Sequence, residues 1–356
     1  MIYRTILKIR HNAYDSGRRK QYECDVPVIC IGNITVGGTG KTPHTELVLR
    51  ILQNSVEFAG KQLAVLSGGY KRKSRGFWNV QEGGSAAFYG DEPVQIKNKF
   101  PSVAVAVDKD RVEGCEVLRG RLREVGSKKK KRVVFDGETP AADVIVLDDA
   151  FQYRKLKAKV NIVLVDYNRP VDRSSLLPFG NLRDLPERLA AADIVIVTKC
   201  PNYLSGEERE EWRRRLGIKF TQSLFFTTIN YVRPAVVFPD ADPRYTYSKK
   251  LVLFTGIAND RPLRCYLSDN YKILKKFSFS DHHKYKASDL AKVNSVVKRN
   301  PTAAVATTEK DAQRVRDLKK VPPLIKDRLF QVPIEAGFLS EEERIEFENT
   351  LLCAIK

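Results

Sequence analysis

"GNITVGGTGKTPHTEL", from Gly32 to Leu47, decides how the rest of the chain is read. It follows the apolar run "VPVICI" and leads into a helix-length segment, Thr42 to Leu52, so it joins a buried strand to a helix through a glycine-rich turn. A strict phosphate loop reads G-x-x-x-x-G-K-[ST]. Counting back from Gly40, Lys41 and Thr42 puts Thr35 where the first glycine belongs. The chemistry survives that break. Gly37, Gly38, Thr39 and Gly40 can turn backbone N–H groups toward phosphate oxygens, Lys41 supplies a point charge, and Thr42 offers a hydroxyl to Mg²⁺. The helix that opens there adds its dipole to an anion site. The bland alternative is a tight turn with no ligand. Against it stands "VIVLDD", which places Asp148 and Asp149 at the end of another apolar run, where a metal-side acid is needed.

Continuous Val- and Ile-rich runs recur through the first two thirds: "LAVLSGG", "SVAVAV", "DVIVLDDA", "NIVLVD" and "DIVIVTK". Runs without alternation suit strands buried on both faces, and helix-length segments such as Asp110 to Glu124 separate them. The expectation is an α/β fold, a P-loop NTPase-like parallel sheet with helices on both faces, whose ligands sit at the carboxyl ends of the strands. After about Thr221 the texture changes. "SLFFTTINYVRPAVVFP" reads as a bent strand or hairpin, and a second, smaller α/β domain follows. The expected division is a kinase-like domain over 1–222, a linker over 223–248 and a C-terminal subdomain over 249–356. Ser340 followed by Glu343 is a capping-box signature for a last helix.

Composition narrows the partners. Lys and Arg total 62 against 43 Asp and Glu, a formal charge of +19, which favours nucleic acid, anionic membrane or phosphorylated small molecules. "SKKKKR" at 127–132 reads as a solvated loop insertion or a ligand site. The six cysteines form no CxxC pair and, with four histidines, show no zinc spacing, which suits a reducing interior. No apolar run approaches the roughly 20 residues of a membrane span, and no signal peptide is expected, so the chain should stay on the cytoplasmic side. Guanine selectivity is unsupported, because "VTKCP" has the Lys of N-K-x-D without its Asn or Asp.

A kinase needs a group that orients the acceptor hydroxyl and takes its proton. Two motifs could supply one. "YGDEPVQI" places Asp91 and Glu92 just before a helix, where an N-cap role for Asp91 is the simpler reading. "FSFSDHHKY" holds His282 and His283, half of the histidines in the chain.

"VPVICIGNITVGGTGKTP", "LSGGYKRKSRGF", "GDEP", "LDDAFQYR", "LLPFGNLRD", "ADIVIVTK", "FSDHHKY" and "TTEKDAQR" occur in that order, and over nearly its whole length the chain resembles the tetraacyldisaccharide 4′-kinase family. Thr35 in place of the first glycine is that family's habit. The resemblance implies ATP- and Mg²⁺-dependent phosphorylation of the 4′-hydroxyl of a tetraacylated glucosamine disaccharide 1-phosphate. It places the protein peripherally at the cytoplasmic face of the bacterial inner membrane. By motif, Lys41 and Thr42 take the phosphate and magnesium roles, with Asp148 and Asp149 as metal-side acids. Asp91 pairs with His282 as a proton-accepting dyad, Glu92 sits beside the metal, Arg111 lies near the phosphates and Arg183 at the rim. Closure of the second domain over the first is the natural way to bring His282 to Asp91. Nucleic acid is not implied, nor is an oligomer.

Three positions depart from the family pattern: Tyr153 stands for a His, Asp184 for a Glu, and Gly68 for an Arg. The N-terminal segment "MIYRTILKIRHNAYDSG" is shorter than is usual there. Its Ile2, Ile6, Leu7 and Ile9 against Arg4, Lys8, Arg10 and His11 suit either a membrane surface or a helix packed on the core. "GGYKRKSRGF", with Lys71, Arg72, Lys73 and Arg75 among aromatics, is the second candidate for lipid contact.

Overall fold

A computed structural model describes residues 2–120 and 141–356. The basic run at 127–132 lies outside them, as does the end of the segment expected as a helix over 110–124. The described part of that segment forms the helix Arg111–Leu118.

A two-residue parallel pair joins β1 (Tyr22–Glu23) to β7 (Leu156–Lys157). The principal sheet contains β2 (Val28–Asn33), β3 (Leu63–Ser67), β4 (Trp78–Asn79), β5 (Ala104–Val107), β6 (Val144–Asp148), β8 (Val160–Asp166), β9 (Ile194–Thr198), β10 (Ser223–Tyr231) and β16 (Ile334–Phe338). Its nine strands lie in the order β16-β10-β9-β8-β2-β6-β3-β5-β4. All pairings are parallel except at the two edges, where β16 runs against β10 and β4 against β5. The runs without alternation are buried along their whole length in β2, β3, β6 and β9, because each face of the sheet carries helices. Val48, Leu49 and Leu52 of helix Lys41–Asn54 and Phe347 and Leu351 of helix Glu341–Ile355 cover one face. Cys115 and Leu118 of helix Arg111–Leu118 and Trp212 and Leu216 of helix Gly206–Leu216 cover the other. The chain turns from β2 toward β3 and β5 on one side, and β8, β9 and β10 extend the other. The loop after β2 thus opens at the reversal, the usual ligand position in such sheets.

The second sheet holds β11 (Ala235–Val236), β12 (Lys250–Thr255), β13 (Lys272–Ser278), β14 (Ala304–Thr308) and β15 (Leu329–Val332), in the order β11-β15-β14-β12-β13. Its faces are covered by helices Ala287–Lys298 and Glu309–Arg316 on one side and Arg261–Asn270 on the other.

The expected boundaries need correction. The stretch read as a hairpin linker contributes β10 to the principal sheet, and its partners are β9 and β16 rather than itself. The chain crosses to the second sheet after Tyr231 and returns between β15 and β16. The two crossings touch where Val232 N donates to Pro333 O at 2.9 Å. The last strand and last helix therefore belong to the first body. Ser340 caps that helix as expected, accepting from Glu343 N. The Glu343 carboxylate does not complete the capping box. It accepts from Phe226 N at 2.7 Å and from Arg209 at 3.1 Å, which pins the returning helix to β10.

Helix Ile2–Asp15 is both packed and exposed. Leu7, His11 and Tyr14 are buried, whereas Ile2, Ile6 and Ile9 are 79, 55 and 65% exposed. Among the described residues no helix is long and apolar enough to cross a membrane.

Gly32, the last but one residue of β2, is a point of closest approach. A Cβ there would meet Phe151 Cβ at 2.6 Å and Phe151 N at 3.0 Å. Gly32→Ala is expected to destabilise the fold by about 1–3 kcal/mol, the usual penalty of overpacking, as read from urea unfolding. An unchanged midpoint would contradict this packing.

Candidate active site

The loop from Asn33 to Lys41 is held open by its own backbone and by two braces. Gly37 and Gly40 take left-handed φ values of 92° and 89°, which a side chain would strain. Thr35 is free of that demand. It forms an antiparallel bridge with Leu182, which explains why a residue with a Cβ serves at the first position. Asn33 Nδ2 donates to Thr39 Oγ1 at 2.7 Å, and His44 closes the first helical turn, with Nδ1 on Gly40 O at 2.7 Å and Nε2 on Thr227 Oγ1 at 2.9 Å. Burial pushes His44 down to about 4, so it stays neutral in that role. On the outer side Lys199 contacts Gly38 O and pairs with Asp166 at 2.8 Å. Arg169 pairs with Asp166 at 3.0 Å and lies over Gly37, where a Cβ would meet its Nη1 at 2.9 Å. Gly38 faces open space.

The strand-end acids lie under this loop. Asp148 closes β6, is buried, and accepts from Thr45 Oγ1 at 3.3 Å, while its Oδ2 is buried with no partner. Burial first, then the Glu92 and Asp149 carboxylates, push Asp148 up to about 7. Asp149 behaves oppositely. Burial works to raise it, but Lys41, at 3.5 Å, and Arg183 prevail and hold it below the usual carboxylate value. Arg183 also contacts Asn33 Oδ1, so the rim arginine ties the loop to the acids. Arg111 is buried, donates to Asp108 O at 2.6 Å, and has a buried Nε without a partner. An orphaned carboxylate oxygen on Asp148 and a buried Thr42 hydroxyl are donors that fit Mg²⁺. Among the described residues no cluster of three or more His, Cys, Asp or Glu could hold a metal. That suits an ion which takes one or two carboxylates and completes its shell with phosphate and water.

The second body supplies the other half. Asp91 is not the N-cap that spacing suggested. Gly90, at φ 103°, caps helix Asp91–Lys99, and Asp91 is its first residue, buried and facing the second body. His282, in a left-handed turn at φ 57°, reaches within 3.6 Å of Asp91 Oδ2, so the two bodies meet at this pair. Tyr70 of the basic-aromatic segment packs on the His282 ring, with centroids 5.1 Å apart. His283 turns away to Asp289 at 3.0 Å. Two residues of "TTEKDAQR" that received no role from the sequence occupy the junction. Arg314 pairs with Asp91, and Lys310 pairs with Glu92. Burial works to raise Asp91, but His282, Arg314 and Lys310 hold it well below the carboxylate range. The signal that could have found these two is their i, i+4 spacing, which puts both cations on one helix face opposite the GDEP acids.

The departures find local explanations. Tyr153 donates to Asp110 Oδ1 at 2.7 Å beside Arg111. Asp184 is buried against His11 at 2.7 Å, a pair that ties the N-terminal helix to the rim. Gly68 leaves room for Arg111, whose Nη2 a Cβ would meet at 2.7 Å.

A glycine loop carrying Lys and Thr at a strand-helix junction, with paired acids at the end of the adjacent strand, defines a P-loop nucleotide-binding protein. The family model for tetraacyldisaccharide-1-P 4′-kinase matches residues 1–354. The tetraacyldisaccharide 4′-kinase of Phocaeicola vulgatus is 36% identical over 354 residues, covering 98% of this chain and 91% of that protein. The one from Flavobacterium johnsoniae is 36% identical over 361 residues, covering 100% and 95%. The crystal structure of the "apo" form of LpxK from Aquifex aeolicus in complex with ATP superposes with a TM-score of 0.72 at 24% identity, covering 100% of this chain and 96% of that one, a likeness of fold. The chain belongs to the tetraacyldisaccharide-1-P 4′-kinase family.

The elevated Asp148 has a measurable sign. Between its ordinary value of 3.8 and about 7, the folded chain keeps a proton that the unfolded chain has lost, so this residue costs stability as pH rises through that window. In metal-free buffer the Tm of the wild type is expected to fall relative to that of Asp148→Asn from about pH 4 to about pH 7. Parallel profiles for the two proteins would contradict the assignment.

Proposed function

We infer that the chain transfers the γ-phosphoryl group of ATP to the 4′-hydroxyl of a tetraacylated glucosamine disaccharide 1-phosphate, forming lipid IVA in lipid A synthesis. Family membership supports the reaction. The observation that carries the site assignment is the approach of Asp91 and His282 within 3.6 Å, although one opens a helix of the first body and the other lies in a turn of the second.

In this reading the backbone of Gly37 to Gly40 and the Lys41 ammonium hold the β- and γ-phosphates, with Arg111 near the phosphates and Arg183 at the rim, where it shares Asp149 with Lys41. Lys41 reaches Asp149 in the structure, so its ammonium is already aimed at the acid side of the site. Of Thr42, Asp148, Asp149 and Glu92, it is Thr42 and Asp148 that would hold Mg²⁺ directly, since Asp149 is paired with Lys41 and Arg183 and Glu92 with Lys310; the ion would supply charge neutralisation on the transferring group. Asp91 orients the sugar hydroxyl. In a loose transition state the hydroxyl proton leaves late, so a strongly acidic carboxylate can still serve, and within the Asp91–His282 pair the proton passes to Asp91. Closure of the two bodies excludes water, which would otherwise compete as acceptor.

The lipid must be met at a surface. The exposed Ile2, Ile6 and Ile9 form the face that would enter an anionic bilayer at the cytoplasmic side of the inner membrane, while Arg4 pairs with Glu187 at 2.7 Å. The flank of the helix reaches the site: Tyr3 donates to Arg183 O at 2.9 Å and Arg10 to Gln152 O at 2.7 Å.

With Mg·ATP and the acylated disaccharide phosphate in detergent micelles, thin-layer chromatography should show a more polar phosphorylated lipid. Nucleotide binding without that product would overturn the reading in favour of a non-transferring ATPase. Asp91→Ala and His282→Ala should each lower kcat by about 10²- to 10⁴-fold, with the double variant little worse than either. Additive losses would separate the two residues. Replacing Ile2, Ile6 and Ile9 together by Ser should weaken sedimentation with phosphatidylglycerol vesicles by at least about tenfold. Undiminished binding would move the membrane contact elsewhere.

A further inference from the structure

Asp91 and His282 do not touch through a hydrogen bond of their own. The group between them is Arg314, whose side chain is nine-tenths buried. Its Nε donates to Asp91 Oδ2 at 3.0 Å and its Nη2 to the same oxygen. Nη2 also lies 3.2 Å from His282 Nδ1, and Nη1 donates to Gly256 O at 3.0 Å and to Asp311 Oδ1 at 2.8 Å. A guanidinium has five N–H bonds and no acceptor. All five are used here, and His282 Nδ1 must be the accepting atom, which leaves the proton of the neutral ring on Nε2. Asp91 is held at both oxygens, since Oδ1 accepts from Glu92 N at 3.1 Å.

The cradle is built around this one side chain. Gly256 O accepts from His282 N at 3.1 Å as well as from Arg314, so the same carbonyl sets the histidine turn and the guanidinium plane. Gly256 N donates to Asp311 Oδ2 at 2.9 Å, and a Cβ on Gly256 would meet Asp311 Oδ1 at 3.0 Å. Asp311, fully buried, is fixed in turn by Thr308 Oγ1 at 2.7 Å. A lysine could match the charge but not the fork, which needs several donors in one plane.

We propose that Arg314 is the positioning residue that assembles the Asp91–His282 pair across the two bodies, setting the carboxylate plane and the imidazole tautomer. This rests on the reading of Asp91 as the hydroxyl-orienting acid. The role is distinct from a mere clasp, because helix Glu309–Arg316 has other contacts that hold the bodies together: Lys99 with Glu309 at 2.7 Å, Asn98 with Gln313 at 3.1 Å, and Lys310 with Glu92.

The test is steady-state kinetics of Arg314→Gln and Arg314→Lys on the full chain, with Mg·ATP and the acylated disaccharide phosphate in micelles, in the wild type and in Asp91→Ala. Arg314→Gln should lower kcat on the order of 10- to 100-fold while KM for ATP stays within about twofold. Arg314→Lys, which keeps the cation and the helix, should lose at least about tenfold in kcat with the wild-type Tm, and it carries the test if Arg314→Gln does not fold. In Asp91→Ala neither change should cost anything further. A raised KM with full kcat, a fully active Arg314→Lys, or an equal loss in both backgrounds would overturn the proposal. An inactive Asp91→Ala beside a fully active Arg314→Gln would overturn this role alone, whereas a fully active Asp91→Ala would overturn the reading of Asp91 and this role with it.

Discussion

Charge has no place inside a parallel sheet covered by helices on both faces, and that constraint organises the molecule. β2, β3, β6 and β9 are buried along their whole length, and the carboxylates of Asp148, Asp149 and Asp166 emerge where β6 and β8 end. The glycine loop after β2 opens at the same edge, with the helix dipole of Lys41–Asn54 behind it. Acids crowded at one edge repel one another, and the chain answers with cations drawn from several elements. Lys41 and Arg183 serve Asp149, Lys199 and Arg169 serve Asp166, and Lys310 and Arg314 serve Glu92 and Asp91. Asp148 alone of these keeps an unpartnered buried oxygen.

The first half of this arrangement was legible in the sequence. Continuous apolar runs specify parallel strands, and a loop of glycines ending in Lys-Thr specifies an anion site, because both are local consequences of backbone geometry. The path of the chain end was not legible. β16 and helix Glu341–Ile355 belong to the principal sheet because the backbone crosses back at Pro333, and a one-residue crossing leaves no compositional mark. Glu343 looked like half of a capping box and instead anchors β10 and Arg209, partners that no short-range pattern reveals.

The same limit applies to the site. GDEP and DHH were visible as motifs, yet spacing made Asp91 an N-cap. The structure instead buries it against a guanidinium 223 positions away in the chain. Lys310 and Arg314 read in isolation as an ordinary solvated helix face. The departures from the family pattern acquire reasons only in three dimensions. Asp184 meets His11, Tyr153 meets Asp110, and Gly68 makes room for Arg111. The N-terminal helix likewise resolves two alternatives into one arrangement, with a packed face tied to the site rim and an exposed isoleucine face left for a surface.

The central claim is that the assembled edge delivers phosphate to one sugar hydroxyl and not to water. Phosphorus NMR of the lipid recovered after turnover tests it most directly. A second phosphomonoester resonance coupled to the proton on the 4′ carbon is expected, beside an unchanged 1-phosphate signal. Consumption of ATP with inorganic phosphate as the only new resonance would contradict it.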